Sequence, residues 1–207
     1  RVSEKININH EILYYQKKFK SEVIDSFIDS YVAGETPIPC VQCNQTVKFR
    51  DLFKYAKELK ADALITGHYV SRVQHNGHAN MYRAKDLNRD QSYFLFSTTQ
   101  EQLDYLRFPL GEIDKVKVRA LAKKSDLPVA DKKDSQGICF LGKVKIPQFL
   151  SHLIEDKPGD ILDTNGKKLE RHLGLHRYTL GQRKGIGIPS NTDHERYVVT
   201  GKDESSN

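Results

Sequence analysis

The fold turns on one short stretch, ADALITGHYV, residues 61–70. Ala63 to Thr66 is an apolar run of strand length, and such runs form the buried strands of parallel sheets, apolar on both faces. Gly67 and His68 follow at its carboxyl end. Open α/β sheets bind ligands beyond the carboxyl ends of their strands, so these two residues belong at the edge of a site. Before the run, Leu52, Phe53, Ala56 and Leu59 fit a helix. After it, SRVQHNGHANMYRA (71–84) reads as a hairpin turning at Asn76-Gly77. Thr98 and Glu101 make a capping-box pattern ahead of a short helix over 100–106. Asp114 caps a further helix with Val118, Leu121 and Ala122 inward, stopped near Pro128. Helix, strand and helix with an inserted hairpin predict an α/β domain.

Upstream, Ile12, Phe19, Val23, Phe27 and Tyr31 predict a helix over 11–33, ended by Gly34. Pro37 and Pro39 then stiffen an extended loop. The texture changes after Gly142. A helix over 146–154 leads into short strands punctuated by Pro158-Gly159 and Asn165-Gly166, and the segments 179–189 and 196–203 continue in that style. The expected organisation is an α/β domain over 1–142 and a small β-rich module over 143–207.

The 207 residues carry 33 Lys plus Arg against 27 Asp plus Glu. The resulting charge of +6 suits a phosphate-bearing partner without requiring one. Mean hydropathy is −0.62, polar for a globular chain. No apolar run approaches the ~20 residues that span a bilayer, so no membrane is expected. The chain does not begin with Met and shows no secretory signal, and a fragment is expected. Three widely spaced cysteines without such a signal argue against a disulfide framework and for functional thiols in a reducing compartment.

Those cysteines are Cys40 and Cys43, in PIPCVQCN (37–44), and Cys139, in DSQGICF (134–140). Structural zinc wants four Cys or His ligands, and Cys139 has no neighbouring partner in sequence. A thioredoxin-like dithiol would open a helix directly after a strand and would leave Cys139 unexplained. A third reading brings Cys43 and Cys139 together in the folded protein. Gly137 permits an unusual backbone beside Cys139, Asp134 and Ser135 can hold a turn, and Lys132, Lys133 and Lys143 favour a thiolate. A fourth makes Cys139 a small buried hydrophobe within ICFL. The residues alone leave these open.

Seven motifs in fixed order now carry a resemblance: GETPIPCVQCNQTVKF (34–49), ALITGHYV (63–70), RDQSYFLF (89–96), FPLGE (108–112), KKDSQGICFLG (132–142), PGDI (158–161) and TLGQRKGIGI (179–188). Together they resemble the tRNA-specific 2-thiouridylases. The resemblance implies a Rossmann-like ATP pyrophosphatase domain whose N-terminal part is missing, followed by a small β-rich tRNA-binding module that lacks the C-terminal β-barrel. It implies ATP-dependent 2-thiolation of the tRNA wobble uridine, through adenylation of the base and sulfur transfer from a cysteine persulfide. Cys139 would be the persulfide carrier and Cys43 the catalytic nucleophile, and the two would form a disulfide. Gly67 would contact ATP, carried with Mg²⁺. Ile38, Pro39 and Cys40 would touch the target base. His68, Arg89, Asp90 and Gln91 would contact tRNA, and Arg183 and Lys184 could meet its backbone. A persulfide sulfur-donor protein is the further partner, and no resident metal is implied.

Two departures accompany the resemblance. Many relatives carry Asp where this chain has Cys40, and the family's serine- and glycine-rich ATP loop is absent. The 207-residue piece by itself is therefore expected not to form the adenylate. Bacterial cytoplasm is the expected location ahead of the mitochondrion. The competing readings are a non-catalytic nucleic-acid-binding module with zinc on the cysteines and an ATP pyrophosphatase acting on a small metabolite.

Overall fold

The computed structural model describes residues 1–134, 137–189 and 197–207. The chain packs as two compact units, one of residues 1–23 and 39–136, the other of 24–38 and 137–207. Helical backbone runs from Gln16 to Val32 in three stretches, Gln16–Phe19, Lys20–Asp25 and Ser26–Val32. Val23, Phe27 and Tyr31 are buried along it, as the spacing predicts. Ile12 falls outside the helix and is exposed. Gly34 ends the run at φ +69°, a conformation that costs glycine little.

Among the described residues the first unit holds four strands, β1 (Leu64–Ile65), β2 (Val70–His75), β3 (His78–Arg83) and β4 (Leu106–Arg107). β1 pairs in parallel with β4, Leu64 opposite Leu106. The parallel pairing expected of the 63–66 run is present. Burial on both faces is not, for Ile65 is 68% exposed. A two-residue strand with β4 as its ladder partner has too little neighbouring surface to cover both sides. β2 and β3 form the hairpin, with Asn76 at φ +48° and Gly77 at φ +84°. Positive φ at both central residues is the turn whose twist matches the strands it joins.

Asp104 fastens that hairpin to the helix Gln100–Tyr105: one carboxylate oxygen accepts from the Ala79 amide at 2.6 Å and from Gln100 Nε2 at 2.9 Å. These hydrogen bonds, with His78 on the other oxygen, lower its pKa to about 2. The capping box sits one residue later than Thr98–Glu101. Thr99 Oγ1 accepts from the Gln102 amide while Gln102 Oε1 accepts from the Thr99 amide. Both registers satisfy the sequence pattern. The observed one also lets Gln102 Nε2 donate to the Phe49 carbonyl and buries Leu103. The helix Lys115–Lys124 begins after Asp114 but buries none of its residues, and Leu121 is largely exposed. Arg119 anchors it instead, donating to the carbonyls of Ala130 and Lys132.

The core of this unit is Phe49, Val70, Ala79, Leu95, Leu103, Leu106 and Phe108, with Leu64 and Met81 against it. The second unit packs Phe27, Tyr31 and Leu150 with Phe140 and Phe149, the Phe27 and Phe140 rings meeting edge-on at 5.3 Å. Beyond residue 142 it carries the helix Ile146–Leu150, shorter than the 146–154 pattern. Among the described residues its strands are β5 (Gly159–Leu162) and β6 (Lys168–His172), an antiparallel pair. Residues 179–189 and 197–203 are irregular, not stranded.

Candidate functional site

Pro39 opens the helix Pro39–Cys43, and helical backbone continues through wider turns over Asn44–Leu52 into Phe53–Glu58. The two prolines therefore do not exclude a helix: Pro39 starts one, because a first helical residue needs no amide donor and its φ is already set. Cys40 and Cys43 lie three residues apart, on one side of this helix, and both are half-buried. The pair does open a helix, yet that helix follows a loop and not a strand. Pro39 is buried and Ile38 exposed. Cys139 is exposed, so the reading of it as a buried hydrophobe is overturned. Gly137 beside it has φ +81°, as its sequence context suggests. Ser135, the other half of the expected turn, lies outside the described residues. Among those residues no group of three or more Cys, His, Asp or Glu could hold a metal ion, so the zinc reading finds no ligand set there.

Gly67 stands exposed at the carboxyl end of β1. A Cβ there would meet only the Leu110 side chain, at 3.9 Å, so a ligand can approach its backbone. His68 is half-buried, with Nδ1 2.7 Å from Thr66 Oγ1 and its ring edge-on to Phe49. Burial, assisted by the nearby Lys48 charge, lowers its pKa from 6.5 to about 4. His68 is therefore neutral at pH 7, a hydrogen-bonding group and not a cation.

This shift has a consequence for stability. The unfolded chain binds a proton at His68 below about pH 6.5, the folded chain only near 4. The contribution is complete above pH 6.5 and is lost as pH falls towards 4. About 2–3 kcal/mol is expected to disappear across that window. Urea unfolding at pH 7 and pH 4 should show the extra loss in the wild type and not in His68→Gln. Equal losses in both would sink the assignment.

Asp90 and Gln91 are engaged inside the unit. Asp90 accepts from the Ala84 amide at 2.8 Å and from Ser92 Oγ at 2.7 Å, and ion-pairs with Arg83 at 3.6 Å. Gln91 Oε1 accepts from the Tyr69 amide, and the Gln91 amide donates to the Tyr69 carbonyl, each at 2.9 Å. This clamp fixes the chain just after Gly67-His68. Arg89 is exposed and reaches Asp134 at 3.2 Å. Lys115 and Arg119 meet the same carboxylate at 3.1 and 3.0 Å. Three cations on one carboxylate leave a surplus of positive charge. Sequence reasoning gave Asp134 a turn and missed this role, because its partners lie 15 to 45 residues away.

In the second unit, Gly181, Gly185 and Gly187 have φ of +80°, +70° and +89°, the backbone that the glycines of GQRKGIG allow. Ile186 is buried and holds the loop, while Arg183 and Lys184 are exposed upon it.

Residues 1–143 match the family model described as tRNA methyl transferase HUP domain, and 147–207 match tRNA methyl transferase PRC-barrel domain. The chain belongs to this family. The tRNA-specific 2-thiouridylases MnmA of Brucella ovis, Brucella canis and Brucella melitensis biotype 2 are each 53% identical to it over 201 residues. That covers 96% of this chain and 50% of each relative. The chain thus spans about half the length of the curated relatives it matches. The thiouridylase-family resemblance of the seven motifs is borne out, and with it the Rossmann-like α/β domain followed by a small barrel-type module.

Proposed function

We propose that the full-length protein is a tRNA uridine 2-sulfurtransferase acting on the wobble base. The observation that carries this reading is the 53% identity to proteins named tRNA-specific 2-thiouridylase, which covers 96% of the chain and so both thiol-bearing segments.

The chemistry sets what the residues must do. A uracil carbonyl oxygen is a poor leaving group; ATP, bound with Mg²⁺, supplies the adenylyl group that makes it a good one. Gly67 fits an ATP-contacting role, since its backbone is open at a strand's carboxyl end. Cys139 is exposed, as a thiol loaded with sulfur by a donor protein has to be. Its terminal persulfide sulfur attacks carbon 2 and displaces the activated oxygen. The Cys43 thiolate then attacks the Cys139 sulfur. A Cys43–Cys139 disulfide forms, and the electron pair of the broken S–S bond stays on the transferred sulfur as the C=S group. A thiol reductant restores both cysteines. The rates of such exchanges follow thiolate fraction and access.

The target base has to leave its stack to be reached. Ile38, Pro39 and Cys40 contact it in this reading, Pro39 through backbone because its ring is buried. Cys40, with Asp in many relatives, contributes a thiol three residues from the nucleophile. His68 offers Nε2 to tRNA. Arg89 supplies phosphate contact, and Asp90 and Gln91 serve chiefly to hold it and the Gly67-His68 turn in place. The thiolation chemistry belongs to residues 1–142, and residues 143–207 add backbone contacts through Arg183 and Lys184. The protein works in the bacterial cytoplasm. No helix among the described residues is long and apolar enough to cross a membrane.

The test is direct. Full-length protein, unmodified tRNA, ATP with Mg²⁺ and a persulfide donor are incubated, and the nucleosides are resolved by mass spectrometry. 2-Thiouridine that appears at the wobble position only with ATP supports the reading, and its absence refutes it.

A further inference from the structure

The segment RDQSYFLF buries its aliphatic residue and exposes two of its aromatic ones. Leu95 is 0% exposed, whereas Tyr93 is 61% and Phe96 66% exposed. A large aromatic ring left in solvent offers its face for stacking, and here both rings flank a leucine that fills the core. The two rings sit with centroids 6.4 Å apart and planes inclined by 53°, and Tyr93 also meets Phe94 edge-on at 5.7 Å.

They are held firmly. The short helical turn Ser92–Leu95 packs against the thiol-bearing helix Pro39–Cys43. Asn44, the residue after Cys43, is 3% exposed and donates from Nδ2 to the Phe94 carbonyl at 3.0 Å. Ser92 is tied to Asp90, and Asp90 to Arg83. Two exposed arginines lie near in the chain, Arg83 ion-paired with Asp90 at 3.6 Å and Arg89 with Asp134 at 3.2 Å. Exposed rings on a fixed turn, preceded in the chain by Arg89 and followed by Ser97 and Thr98 in place of aliphatic residues, match the way single-stranded RNA is held. Aromatic faces stack on unpaired bases and basic side chains follow the phosphates.

We infer that Tyr93 and Phe96 form a stacking platform for an unpaired base of an RNA loop, next to the helix that carries Cys43. The inference rests on the tRNA reading above and extends it with two residues that contact substrate. The platform adds affinity for single-stranded RNA without adding charge.

Full-length protein is the material, with two probes, unmodified tRNA and an unstructured oligouridylate, measured by filter binding over a range of salt. Tyr93→Ala and Phe96→Ala are each expected to weaken binding of both probes by about tenfold. Tyr93→Phe and Phe96→Tyr should bind like the wild type. The salt slope should be unchanged in all four, because stacking releases no counterions. Thermal melting accompanies each variant. Wild-type affinity in both alanine variants overturns the platform. So does equal weakening in the alanine and aromatic variants with a parallel fall in melting temperature, which means the rings pack against protein. Alanine-sensitive binding of oligouridylate without any binding of tRNA would keep the platform and remove the tRNA reading. Failure of the wild type to bind either probe removes the platform.

Discussion

Full-length protein carrying Cys139→Ser or Cys43→Ser is expected to leave the wobble uridine unthiolated, with at least about a 10³-fold loss of rate in each case. A serine hydroxyl cannot carry a persulfide, so Cys139→Ser stops the reaction before sulfur reaches the base. Cys43→Ser stops it later, when the sulfur already bonded to carbon 2 has to be cut from Cys139. The two variants should therefore differ in what accumulates. Cys43→Ser should trap tRNA joined to the protein through Cys139, a species sensitive to added thiol, whereas Cys139→Ser should trap none. Denaturing gels with and without reductant, alongside nucleoside mass spectrometry, read both outcomes. Unchanged 2-thiouridine in cells carrying either variant would remove the roles given to these thiols. Cys40→Ser is the control within the same helix: Cys40 is half-buried three residues away, and its loss should cost far less.

Gly111→Ala is expected to be the most damaging single methyl group in the first unit. A Cβ at Gly111 would lie 2.0 Å from the Val70 carbonyl oxygen and 2.9 Å from Ser71 Cα, both backbone atoms at the start of β2. Neither side can yield easily. The Gly111 carbonyl accepts from the Lys85 amide at 2.8 Å, its amide donates to the Phe108 carbonyl at 3.1 Å, and Val70 is 0% exposed in the core. Ser71 is further fixed by donating to Glu112. Overpacking typically costs about 1–3 kcal/mol, and with backbone on both sides the upper end, about 3 kcal/mol, is expected. For a protein of this size that lowers the melting temperature by roughly 6–12 °C. Gly77→Ala, in open space at the hairpin turn, should cost less and through backbone strain alone. Thermal melting of the two variants side by side checks the ranking, and a Gly111→Ala protein as stable as the wild type would contradict the close approach seen here.

Much of the backbone around the candidate site was legible because its signals are local. An apolar run ending in Gly-His and an Asn-Gly pair between alternating residues each act over a few residues, and the strand and the hairpin appear where those patterns predict, whereas residues 179–189 form an irregular loop in place of the expected short strands. The capping box slipped by one residue because Thr98–Glu101 and Thr99–Gln102 satisfy the same local rule. The choice fell to a distant partner, the Phe49 carbonyl that receives Gln102. Leu121 misled for a similar reason: its spacing is amphipathic, yet Arg119 and not an apolar stripe ties that helix down.

Sequence by itself determined the α/β class, the family through seven ordered motifs, and which residue types are available for sulfur chemistry. Only the tertiary structure decided which of them are free to meet a substrate. Asp90 and Gln91 read as surface contacts in a polar loop, but their side chains are committed to backbone amides of Ala84 and Tyr69. Tyr93 and Phe96 flank Leu95 in the motif RDQSYFLF, but Leu95 takes the core position and leaves them in solvent. Burial and hydrogen-bond partners are set by residues far away in the chain, and no local pattern encodes which of several apolar or polar neighbours wins the inward position.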